Sequence, residues 1–152
     1  MSQRAPRGKR FEDYLKAIYL LEKEKGVARV RDLSRVLNVK PSTVVEHLER
    51  LAREELVYYE KREYIKLTSK GRSLAEKIYE YHNVIRRFLK EVLMLPEDIA
   101  EKDACYIEHG VHKETIERIK LFLEYLEKHF EDRDKLVNEL KKYYEYQGKT
   151  LN

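Results

Sequence analysis

Residues 30–53 read VRDLSRVLNVKPSTVVEHLERLAR, and the organisation of the chain follows from how this stretch folds. Val30, Leu33, Val36 and Leu37 recur at the spacing of one helical face and predict a short helix. NVKP at 38–41 predicts a turn, after which Ser42 or Thr43 is expected to cap a second helix carrying Val44, Val45, Leu48, Leu51 and Ala52. Two short helices joined by a four-residue turn are the signature of a helix-turn-helix.

Working outward, Phe11, Tyr14, Leu15, Ile18 and Leu21 predict a preceding helix from about residue 10 to 25, stopped by Gly26. Asp13, Ala17 and Leu20 form a second stripe on it, so this helix has two faces to satisfy. Beyond Leu56, VYYEKREYIKLT at 57–68 alternates apolar and polar residues about Lys61, Arg62 and Glu63, as a short hairpin does. Three helices followed by a hairpin make a winged helix-turn-helix. The rest of the chain is expected to be helical: a long helix over 69–95 with the stripe Leu74, Ile78, Tyr81, Ile85, Phe88 and Val92, ended by Pro96. A shorter one over 97–109 is stopped by Gly110, a third bears Ile116, Ile119, Leu123, Leu126 and Phe130, and a last spans 134–147. The expected architecture is therefore mainly α. A winged helix-turn-helix at 1–72 precedes a helical domain at 73–152, whose apolar stripes call for a partner helix and predict a homodimer.

Composition bounds the function. With 152 residues, 42% apolar and 39% charged, the chain is neither a large multidomain enzyme nor disordered. No apolar run approaches the roughly 20 residues that span a bilayer, and MSQRAPRGKR at the start has no apolar signal region. The expectation is a cytoplasmic protein without a membrane partner. The single cysteine, Cys105, can form neither an internal disulfide nor a multi-cysteine zinc site. Charge is uneven: residues 1–75 carry 18 Lys and Arg against 11 Asp and Glu, a net +7, whereas 76–152 carry 14 against 17, a net −3. A basic half bearing a helix-turn-helix points to double-stranded DNA. Lys40, Ser42, Thr43, Glu46, Arg50 and Arg53 are the polar groups available where the recognition helix would enter the major groove, and Arg62 sits at the wing tip. Glu46 is the odd member, tolerable if it accepts from a cytosine amine or pairs with a neighbouring arginine.

In the second half, Cys105, Glu108 and His109 stand at i, i+3 and i+4, which brings thiolate, carboxylate and imidazole to one helical face, a metal-ligand spacing. Further ligands must come from elsewhere, and Asp13 and His82 present themselves. Cys105 and His109 could also suggest a thiol enzyme, but no oxyanion donor or third group is evident, so an enzyme is not expected. A winged-helix regulator answering to a small organic ligand or a protein partner, independently of metal, is the alternative.

FEDYLKAIYLL at 11–21, VKPSTVVEHLERL at 39–51, LTSKG at 67–71 and the C-x-x-E-H cluster at 105–109 together resemble the diphtheria toxin repressor family of metal-dependent repressors, in order, over about residues 10 to 130. The resemblance implies a winged helix joined to a helical dimerisation domain, a divalent metal bridging the two, and repression of metal-uptake genes when metal is plentiful. The length resembles the two-domain manganese regulators. Asp13 matches the manganese branch, which has aspartate there, and Cys105 matches the iron branch, so the site is a hybrid; Glu108, His109 and His82 match both. Lys16 and Arg86 stand where the two branches carry further glutamates, which implies one well-formed site per subunit, with His82 completing it or holding a weaker neighbouring ion. The implied ion is Fe²⁺ or Mn²⁺, and the donor types also suit Co²⁺, Ni²⁺ and Zn²⁺.

Overall fold

In the computed structural model, residues 9–60 and 64–149 are described, and they form two compact units that divide between Tyr79 and Glu80. The elements of the first are α1 (Lys9–Lys25), α2 (Val30–Val36), α3 (Pro41–Arg53), β1 (Val57–Tyr58), β2 (Lys66–Leu67) and most of α4 (Ser69–Arg87). The division falls inside α4, as does residue 72. Tyr14, Leu15, Ile18 and Leu21 are buried along α1 as their spacing predicts, and Ala17 of the second stripe joins them, while Leu20 stays exposed. Gly26, at φ 78°, ends the helix.

The helix-turn-helix is α2 and α3, with Leu33, Val44, Leu48 and Leu51 fully buried against α1. Asn38 makes the turn in the left-handed region at φ 51°, which asparagine tolerates better than most residues. The Ser34 hydroxyl donates to the Val39 carbonyl at 2.7 Å and ties the turn down. The expected cap differs: α3 starts at Pro41, with Lys40 as an extended N-cap and no side-chain capping bond, so Ser42 and Thr43 lie inside its first turn. Proline sets the helical φ and lacks the N–H that would otherwise need a cap.

β1 and β2 pair antiparallel, Val57 with Leu67 and Tyr58 with Lys66, and Ile65 adds a bridge to Ala28. The wing is thus a short hairpin; its tip, residues 61–63 with Arg62, lies outside the described residues. The LTSKG stretch has a local reason. The Thr68 hydroxyl accepts from the Gly71 N–H at 3.0 Å, capping α4, and donates to the Glu55 carbonyl at 2.7 Å. Gly71 lies so close to the residue before β1 that a Cβ there would fall 1.9 Å from the Leu56 carbonyl oxygen. Glu22, its side chain only 6% exposed, accepts from the Leu67 N–H at 2.8 Å and pairs with Arg72, joining α1, the wing and α4.

The second unit contains the end of α4, then α5 (Glu97–Glu108), α6 (Lys113–Lys128) and α7 (Phe130–Tyr146). Its core is Tyr81, Val84, Ile85, Leu89, Val92, Ala100, Ala104, Ile116, Leu123 and Leu126. The long helix expected to reach residue 95 stays α-helical only to Arg87; Phe88–Val92 form a π turn. Leu89 and Val92 are buried there and Phe88 only partly so, so the apolar stripe passes from Ile85 through Leu89, four residues on, rather than through Phe88. Met94 at φ 57° then turns the chain into Pro96, which caps α5. The last helix begins at Phe130, four residues before the expected start. Arg87 bonds Glu91 at 2.9 Å and also pairs with Glu127, and these two carboxylates hold its guanidinium protonated above the usual arginine range.

Candidate metal centre and nucleic-acid interface

On α5, Ala100, Ala104 and Glu108 form one buried stripe at steps of four, so the small side chains let the helix approach closely and carry a carboxylate inside with them. A buried carboxylate needs partners. Glu108 Oε2 lies 2.8 Å from His82 Nδ1 on α4, and Glu108 Oε1 lies 3.5 Å from His109 Nε2. Cys105 and His109 flank the stripe, both half-buried, and the ligand atoms of Cys105, Glu108 and His109 lie within 4.8 Å of one another. One thiol, one carboxylate and one imidazole converging at this separation are a donor set suited to a divalent transition ion.

His82 is placed differently. It is 4% exposed, and its two ring nitrogens face two carboxylates, Nδ1 toward Glu108 and Nε2 toward Glu101 Oε1 at 2.9 Å. Glu101 escaped the sequence reading, although a signal existed: it stands four residues before Cys105, and its spacing repeats at His109. Arg86 continues the chain of charges, with Nε 3.7 Å from Glu101 and Nη1 paired with Glu97.

In the first unit, α3 turns Val44, Leu48 and Leu51 inward and leaves Ser42, Glu46, Glu49, Arg50 and Arg53 exposed, with Lys40 exposed at its start and Thr43 half-buried. All the described candidate DNA-reading residues thus sit at or near the solvent face of one helix. Asp13, half-buried on α1, lines a cavity of about 610 Å³ together with Arg10, Tyr14, Lys40, Thr43 and His47. Tyr14 and His47 stack there with ring centroids 4.7 Å apart. Burial, assisted by Arg50, holds the His47 imidazole below its ordinary pKa, and burial pushes the Tyr14 phenol up.

Comparison with known proteins agrees with both units. Residues 8–65 match the family model described as iron dependent repressor, N-terminal DNA binding domain, and residues 68–137 match its metal binding and dimerisation domain. An uncharacterised helix-turn-helix transcriptional regulator of Methanocaldococcus jannaschii is 42% identical over 114 residues, 74% of this chain and 91% of that protein. The transcriptional regulator MntR of Bacillus velezensis is 36% identical over 141 residues, 93% of this chain and 94% of that one. Among solved structures, T. acidophilum IdeR superposes with a TM-score of 0.68 at 29% identity over 80% of this chain; the chain spans about half of that protein, 55%. The chain therefore belongs to the iron-dependent repressor family, with a DNA-binding domain followed by a metal-binding and dimerisation domain.

Proposed function

We propose that this protein is a homodimeric, metal-dependent repressor in which Cys105, Glu108 and His109 hold one divalent ion and Asp13 of the DNA-binding unit supplies a further ligand. The observation that carries this reading is the convergence of three different donor types at the C-terminal end of α5, inside the metal-binding domain of the family. The donor chemistry fits Fe²⁺, Co²⁺, Ni²⁺ or Zn²⁺ through thiolate and imidazole, while Asp13 and Glu108 bring the hard oxygens that Mn²⁺ prefers; iron and manganese are the physiological candidates. When bound, the ion supplies a positive centre that attracts the carboxylates of both units. Asp13 then restrains α1, and with it the recognition helix α3, against the dimer body. Restraint raises affinity because two recognition helices held at half-site spacing lose less freedom on binding DNA. Shifting such an equilibrium from 1:99 to 99:1 requires about 5.5 kcal/mol of differential binding. Lys40, Arg50, Arg53 and Arg62 supply phosphate attraction, and Ser42, Thr43 and Glu46 stand where base edges are read. Exposed Tyr106, Leu121, Phe122 and Tyr125 of the second unit support a subunit contact there. The regulated genes are those of metal uptake.

The test is anaerobic fluorescence anisotropy of the protein on the DNA upstream of its own gene, first with chelator and then with Fe²⁺ or Mn²⁺. A gain of at least tenfold in affinity with one of the ions is expected. Equal binding with chelator and with metal overturns the proposal and favours a regulator with a non-metal signal.

A further inference from the structure

His82, Glu101 and Glu108 offer an imidazole and two carboxylates, which on residue type alone make a second cation site. Their geometry argues otherwise. Glu108 lies at Nδ1 and Glu101 at Nε2, on opposite edges of one ring, so no single ion can take His82 and both carboxylates while these 2.8 and 2.9 Å contacts stand. The outer side of the cluster already contains cations. Arg86 reaches Glu101 and Glu97, and Lys90 pairs with Glu97 as well. These two cations hold the Glu97 carboxyl below its usual range, Lys90 having the larger effect. A guanidinium stays charged at every physiological pH, bonds two carboxylates at once, and is attached covalently, so its presence does not depend on metal supply.

We propose that Arg86 is the resident cation of this second position. The series from Arg86 through Glu101 and His82 to Glu108 is a strut that orients the Glu108 carboxylate and limits each chain to one ion. His82 is thus a positioning residue. The proposal rests on the reading of Cys105, Glu108 and His109 as metal ligands and adds which residues set the stoichiometry. The two parts of the strut differ in strength. His82 and Glu108 are 5% and 2% exposed in their side chains, so their bond is sheltered from solvent, whereas Glu101 is 57% exposed and its contact with Arg86 is screened. Removing His82 should therefore disturb the bound ion more than conservative change at Arg86 does.

The experiment is anaerobic equilibrium dialysis of the full chain against Co²⁺ alone, with the ion counted by mass spectrometry. The thiolate-to-cobalt absorption band reports the Cys105 site independently, and circular dichroism checks folding. The wild type and Arg86→Lys are expected to bind one Co²⁺ per chain with that band. Arg86→Glu is expected to bind two, with the band retained. His82→Gln is expected to keep one ion, bound about 10 to 100 times more weakly and with a shifted cobalt spectrum. Two ions in the wild type, or one in a folded Arg86→Glu, overturns the assignment of Arg86. Unchanged affinity and spectrum in His82→Gln overturns the positioning role. Absence of the thiolate band from the wild type overturns the metal reading itself, and this proposal with it.

Discussion

Gly71 shows how one residue can hold a joint of the fold. It occupies the first turn of α4 against the backbone of Leu56, where any Cβ would stand 1.9 Å from a carbonyl oxygen. Backbone on both sides leaves nothing flexible to yield. Gly71→Ala should cost about 3 kcal/mol or more in urea unfolding, although alanine is ordinarily the better helix former. His47 presents a different constraint. Its Nδ1 is buried with no hydrogen-bond partner among the described residues, and burial with Arg50 lowers its pKa from the ordinary value of 6.5. Above that value the imidazole is neutral in both folded and unfolded chains and contributes nothing to the pH dependence. As pH falls below it, the unfolded chain takes up the proton first and the folded state loses ground. The melting temperature should thus fall more steeply between pH 6.5 and 5 in the wild type than in His47→Leu, as differential scanning fluorimetry can measure.

At the scale of elements, α3 separates two tasks by face. Val44, Leu48 and Leu51 anchor it, so substitutions on the opposite face can alter DNA binding without unfolding the helix. Arg50→Ala should weaken binding by similar factors on specific and non-specific DNA and reduce the slope of log affinity against log salt by about one, if Arg50 meets a phosphate. A change confined to one base-pair position would assign it to a base edge instead. On α5, the buried stripe of Ala100, Ala104 and Glu108 ends in the cluster of Cys105, Glu108 and His109, and Leu89 and Val92 of the π turn share its core. The cluster was legible in C-x-x-E-H because helical periodicity alone brings i, i+3 and i+4 together. The partners of His82 were not, because they lie 19 and 26 residues away on another helix.

For the whole molecule, the proposed repressor mechanism requires coupling between the DNA-binding and metal-binding units. Asp13 belongs to the first and Cys105, Glu108 and His109 to the second. Asp13→Ala should reduce the metal-stimulated gain in DNA affinity by tenfold or more while leaving the dimer mass unchanged in light scattering. Undiminished stimulation would refute the bridge between units. If the dimer itself were lost, Asp13 would have a structural role that its half-buried position on α1 gives no reason to expect.

By itself the sequence determined the winged helix-turn-helix, the helical second half and the donor triad, because each depends on short-range periodicity and on local turn and helix-stop residues. Only the tertiary structure decided what lay between distant positions. It placed Glu22 beneath the wing, where its carboxylate joins Leu67 and Arg72, residues 45 and 50 positions away. It gave Gly71 its reason, buried Leu89 more fully than Phe88, and set His82 between two glutamates. The physical cause is common to all four. A side chain's partners across a fold are selected by packing and by the need to satisfy buried polar groups, and neither leaves a periodic trace along the chain.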